Sequence, residues 1–169
     1  MNRTLGAAFL SIGLVSGAHS QSLTNPTQGT GFAPMGIADP QMVIYRVIGV
    51  FDDGQAGHQG ASTAFICTNI ATTTEQVRIR VFRNDASLAQ DGVYDIAAKV
   101  TFTMATHTSL SLNENASLNT GAITQGHAVI FATTTNIACT AMIVNAAGSY
   151  PYGIPLTMLR YNAHPGTSE

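Results

Sequence analysis

Glu75-Gln76-Val77-Arg78-Ile79-Arg80-Val81-Phe82-Arg83 is the stretch that decides the fold. Val77, Ile79 and Val81 take one side of an extended chain; Arg78, Arg80 and Phe82 take the other. Side chains along a β-strand alternate between faces, so this pattern predicts a strand with a core on one side and water on the other. The same texture recurs outward from it. Met42 to Val50 is an apolar, β-branched run that reads as a buried strand. Ser62 to Ile70 reads as another, with Thr63, Phe65 and Cys67 on one face and Ala64, Ile66 and Thr68 on the other. Downstream, Ser87 to Gln90 reads as a short strand, and Lys99 to Thr106 as a strand with Val100, Phe102 and Met104 facing inward. His127 to Thr133, Ile137 to Asn145 and a closing run from Ile154 to Tyr161 complete the set.

Turn chemistry separates these runs. Asn84-Asp85, Gln90-Asp91-Gly92 and Gly148 to Gly153 carry the residues that tight turns favour. Ser109 to Asn119 is polar and Asn-rich and reads as a loop. Val93 to Ala98 fits either a short helix or an irregular connection. Beyond the first twenty residues no long stretch shows a helical apolar period. About seven or eight short strands joined by turns predict an all-β domain, an antiparallel β-sandwich of immunoglobulin-like or jelly-roll-like kind.

The beginning of the chain sets the cellular context. Arg3 precedes an apolar run from Leu5 to Val15, followed by Ser16-Gly17-Ala18-His19-Ser20-Gln21. Small residues at Ala18 and Ser20 fit the positions that signal peptidase reads, so 1–20 are expected to be a signal peptide. The run is too short to span a bilayer, which takes about 20 apolar residues. Residues 21–41, with Pro26, Pro34 and Pro40 among Thr, Gly, Asn and Gln, read as an extended or disordered leader. The sandwich domain is expected over 42–162 and a polar tail over 163–169. No second segment is apolar enough to cross a membrane after signal removal. Secretion, periplasmic residence or the cell surface all follow from this layout.

Cys67 and Cys139 are an even pair in an exported chain and predict one disulfide. Ala71-Thr72-Thr73-Thr74 follows the first cysteine strand, and Ala132-Thr133-Thr134-Thr135 precedes the second. Each reads as a link between neighbouring strands. Low-complexity coincidence is the plainer account of this echo; a true repeat would suit a bridge across the core.

Charged residues make up only 9% of the chain, and the formal net charge is −2. Removal of Arg3 with the signal takes it to −3. The basic residues that remain, Arg46, Arg78, Arg80, Arg83, Lys99 and Arg160, are few and make no polybasic patch. Nucleic-acid binding needs clustered positive charge, and so does attraction to anionic membranes; neither is expected.

Candidate sites are few. The loop Asp52 to Gly60 holds adjacent carboxylates at Asp52 and Asp53, a histidine at His58 and several glycines. Hard cations take several oxygen ligands, but the spacing does not match the twelve-residue calcium loop. A plain inter-strand loop is the first reading, with no metal and no cofactor expected. His58, His107, His127 and His164 show no metal-ligand spacing. No Gly-x-Ser-x-Gly elbow marks a hydrolase. Asp39, Asp52, Asp53, Asp85 and Asp91 fall at apparent turns and read as solvated. There is no Trp, but Tyr150 and Tyr152 flank Pro151 and could form a small binding platform.

The first functional reading is an exported, non-enzymatic structural or interaction module, with protein partners or self-association. In composition it resembles bacterial pilus subunits, without a motif matched residue by residue. The alternative is a small-ligand or carbohydrate-binding module using Asp52, Asp53, His58, Tyr150 and Tyr152. A secreted hydrolase comes last.

Overall fold

A computed structural model describes residue 40 and residues 42–150 and 152–161. The expected signal peptide, the leader apart from Pro40, the polar tail and His164 lie outside the described residues. Among those described there is no helix. Ten strands follow in order: β1 (Met42–Asp52), β2 (Ala61–Asn69), β3 (Glu75–Arg83), β4 (Leu88–Ile96), β5 (Thr101–Ala105), β6 (Ala116–Ser117), β7 (Ile123–Ala132), β8 (Ile137–Asn145), β9 (Gly153–Pro155) and β10 (Thr157–Arg160). They form two five-stranded sheets, ordered β10-β1-β7-β3-β4 and β6-β5-β2-β8-β9. Pairing is antiparallel apart from β5 with β6. The chain is the β-sandwich that the alternation predicted.

The core lies between the sheets. Val77, Ile79 and Val81 of β3 are fully buried there with Val47 and Val50 of β1, Ile130 of β7, Phe65 of β2 and Met104 of β5. Each fully buried aliphatic or aromatic side chain contributes about 1.5–3 kcal/mol of transfer free energy. The opposite face of β3 is less wet than its arginines suggested. Arg78 is buried and makes a bidentate pair with Asp91, 2.6 Å from each oxygen, and Arg80 reaches the same carboxylate at 3.1 Å. Arg80 also lies over the Phe131 ring, 5.5 Å from its centroid. Packing against charge partners and an aromatic face replaces the expected solvation.

Asp91 is therefore not a solvated turn residue, and Gln90-Asp91-Gly92 is not a turn. It lies inside β4, which runs unbroken through Val93 and Tyr94 and ends at Ile96, so the region from Val93 is strand and not helix. The glycine has a packing reason: a Cβ at Gly92 would come within 2.6 Å of the Tyr94 hydroxyl. Tyr94 folds inward over Gly92, its ring 5.3 Å from that of Phe102 in the other sheet. Burial raises the Tyr94 phenol above its ordinary pKa. Val100, expected to face inward, is 43% exposed, because the strand begins one residue later, at Thr101.

Cys67 and Cys139 are bonded as predicted. They sit directly opposite each other on the neighbouring strands β2 and β8, so the bridge staples one sheet and does not cross the core. The two Ala-Thr-Thr-Thr segments connect strands of different sheets, β2 to β3 and β7 to β8, instead of strand neighbours. Both reach the start of β3: Thr73 Oγ1 donates to Glu75 Oε1 at 3.4 Å, Thr133 Oγ1 donates to Glu75 Oε2, and Thr133 N–H donates to Gln76 O at 3.1 Å.

The closing run is two strands, not one. β9 pairs with β8 in one sheet and β10 pairs with β1 in the other. Leu156 sits at the crossing, its N–H donating to Ala141 O at 2.9 Å. Gly49 opposite it has φ +90° and marks a register shift in β1; a Cβ there would touch Leu156 at 3.4 Å. A left-handed residue that bends the strand suits glycine.

Candidate functional site

The β1–β2 connection is wired through its two aspartates. Asp52 closes β1 and is only 1% exposed, so its expected role as a solvated turn carboxylate is corrected. Its Oδ1 accepts from Gly54 N–H at 2.8 Å. Its Oδ2 lies 2.8 Å from His107 Nδ1. The other ring nitrogen, Nε2, is 2.9 Å from Gln59 O. A carbonyl oxygen only accepts, so Nε2 carries a proton and donates it. His107, beyond the end of β5, thus pins both ends of the loop to the segment that follows β5.

Asp53 is exposed but equally fixed. Its Oδ1 accepts from Gln55 N–H at 3.1 Å and its Oδ2 from Ala61 N–H at 2.9 Å. The carboxylate lies directly over Gly60, where a Cβ would sit 1.9 Å from Oδ2. Gly60 also has φ +71°. Glycine is needed there on both counts.

Asp52, Asp53 and His107 each bring a possible ligand atom within 4.8 Å of the others. The donor set fits a hydrogen-bond clamp better than a metal centre. Every one of these carboxylate oxygens and ring nitrogens already has a partner, and a cation would have to break the bonds that hold the loop. His58, the histidine singled out from sequence, is exposed and is not brought to this cluster. His107 takes its place. Nothing in the local sequence pointed to it, since it is 55 residues from Asp52.

The pair of Asp52 and His107 has the outline of an orienting carboxylate and a general base. Nucleophilic catalysis needs the far ring nitrogen to take a proton from a hydroxyl or thiol. Here that nitrogen donates to a backbone carbonyl. The pair reads as structural.

Tyr150 and Tyr152 are 68% and 81% exposed, with ring centroids 6.2 Å apart at 57°. Tyr152 lines an open groove of about 630 Å³. Its walls come from three places: Asp53, Gly60 and Ala61 at the β1–β2 connection, Ile143 to Asn145 at the end of β8, and Gly153 and Ile154 of β9. The structure thus joins two of the sequence-named residues, Asp53 and Tyr152, in one concavity. Asp52, His58 and Tyr150 do not line it. Ile143, Asn145 and Ile154 do, and sequence reading did not single them out, because only strand pairing brings them to Asp53.

No protein-family model matches this chain, and no curated protein matches it. Two solved structures are similar in part. One is the crystal structure of Thermotoga maritima 1070, with TM-score 0.46 and 10% identity over 72% of this chain and 91% of that one. The other is PfGH50B, with TM-score 0.33 and 13% identity over 71% of this chain and 19% of that one. At these values neither carries an argument about function.

Proposed function

We propose that this chain is an exported, non-enzymatic interaction module that associates with protein chains outside the cytoplasm, as a subunit of a surface assembly. The open edge of β4 carries the reading. Exposed sheet edges are templates for further pairing, and proteins blunt them with short strands, prolines or charges. β6 has two residues, β9 has three and ends in Pro155, and β10 has four. β4 has nine residues and no proline, and among the described residues its second side has no strand partner. Its Asp91 is neutralised on the sheet face by Arg78 and Arg80. The apolar run at Leu5–Val15 and the disulfide are consistent with export.

The test is sedimentation of the exported chain over a wide concentration range. Concentration-dependent oligomers or filaments are expected, and Val93→Lys should weaken them; Val93 is 39% exposed on this edge strand. A strictly monomeric protein at high concentration would refute the reading. A small-ligand or carbohydrate-binding module is the second reading, favoured by the groove that Asp53 and Tyr152 share.

A further inference from the structure

We infer that the groove between the β1–β2 connection and β9 receives a lysine or arginine side chain from a partner protein segment. Its aliphatic stem would lie on Ile143 and Ile154, which sit opposite each other on β8 and β9, and its cation between the Asp53 carboxylate and the Tyr152 ring. The inference rests on the interaction-module reading but not on the β4 edge.

Charge complementarity selects the occupant. Asp53 is exposed, and its partners among the described residues are two backbone N–H groups and no cation. Among the described residues its charge is therefore balanced by dipoles alone. The carboxylate is also held in place, fixed by those bonds and by its seat on Gly60, so a ligand would not have to order it. The rest of the groove is nearly all apolar. Ala61, Ile143, Val144 and Ile154 offer no side-chain donor or acceptor, and Asn145 already has its Oδ1 engaged by Ala147 N–H at 3.1 Å. A sugar, which is recognised through several directed hydrogen bonds, would find few side-chain partners on such a floor beyond Asp53, Asn145 and the Tyr152 hydroxyl. A lysine or arginine side chain matches it: long methylene stems cover apolar surface while the head reaches a charge. An aromatic ring in the same groove as a carboxylate adds cation–π attraction. Tyr152 and Ile154, 81% and 68% exposed, present this surface outward. The volume of about 630 Å³ lies within the usual range of small-ligand clefts, about 300–1,000 Å³.

The experiment titrates two peptides into the isotope-labelled exported chain and follows its backbone amides by NMR. The peptides are acetyl-Leu-Lys-Leu-amide and its norleucine counterpart, which keeps the stem and removes the charge. Shifts at Gly60, Ala61, Val144 and Gly153 are expected, with the lysine peptide binding about tenfold more tightly. High salt should abolish most of that preference and leave the norleucine peptide unchanged. Asp53→Asn should remove the preference. Should that change disturb the loop, Tyr152→Ala serves instead, since an exposed ring can be lost without harm to the core; it should weaken the lysine peptide several-fold.

Equal affinity for the two peptides, shifts only outside the groove, or no saturable shift with either would overturn the inference. So would saturable binding of methyl β-glucoside where the lysine peptide fails. Val93→Lys should leave the titration unchanged, so failure of this groove and failure of the β4 edge are told apart.

Discussion

At the scale of single residues, the polar groups that matter most are buried and saturated. Asn69 has no solvent exposure. Its Nδ2 donates to Thr73 O and Ile96 O, both at 2.8 Å, and its Oδ1 accepts from Ala71 N–H at 2.8 Å. One amide thus ties the end of β2 to the crossover and to the end of β4. Asn69→Ala should cost about 2–3 kcal/mol, because each buried group left unpaired carries its own desolvation penalty. Chemical denaturation at neutral pH measures this; a loss under about 0.5 kcal/mol, the range of ordinary surface changes, would contradict it. Asp52 and His107 follow the same logic. Both are buried, and each bonds across a long stretch of chain. Such bonds leave no local mark in a sequence, which is why Asp52 read as solvated and His107 as unremarkable.

At the scale of elements, β3 was legible because Val77, Ile79 and Val81 alternate with Arg78, Arg80 and Phe82, and β8 because Ile137 to Asn145 is an apolar run bounded by polar residues. β4 was not, because Gly92 and Asp91 carry turn chemistry while serving packing and charge pairing instead. The closing run was misread because the short, mostly apolar stretch from Ile154 to Tyr161 does not show where a chain changes sheets. The β3–β4 pair also has a consequence for acid stability. Burial pushes the Asp91 carboxyl up, but the Arg78 hydrogen bond and the Arg80 and Arg78 charges outweigh it and hold it below the ordinary value of 3.8. A carboxyl depressed in the folded state stabilises the fold fully above its unfolded pKa, and that share is lost as pH falls through the folded value. The contribution is therefore intact above about pH 4 and lost in the more acidic range. Asp91→Asn should lower stability at pH 7 by about 1 kcal/mol, allowing for its partial exposure, and flatten the acid limb of the stability curve. Thermal melts from pH 7 down to pH 2 read both effects. An unchanged acid limb would show that other carboxylates govern it.

At the scale of the whole molecule, two sheets face each other over an aliphatic core, and one covalent bond closes 72 residues of sequence within a single sheet. The pairing of Cys67 with Cys139 was legible from their number and the export context; their place on adjacent strands needed the register. On the chain-entropy account a loop of this length constrains the unfolded state by about 4 kcal/mol. Reduction, or replacement of both cysteines by alanine, should lower the urea midpoint by a corresponding amount while the native fold persists, since the core is shared by both sheets. Unchanged stability after reduction would refute this. The candidate groove belongs to the same scale. Asp53 and Tyr152 are nearly a hundred residues apart, and the β8–β9 register makes them neighbours.

The crossing at Leu156 gives the last described dozen residues a role larger than their length. They supply one outermost strand of each sheet at once, shielding part of β8 through β9 and part of β1 through β10. A protease that nicked the chain just after Ser149 would strip two rims in a single event. The remaining body would then offer long bare backbone on opposite layers, a bivalent building block able to grow in two directions. Limited digestion followed by light scattering would reveal such a conversion as a sharp rise in particle size; a trimmed product that stays at its starting size would exclude it.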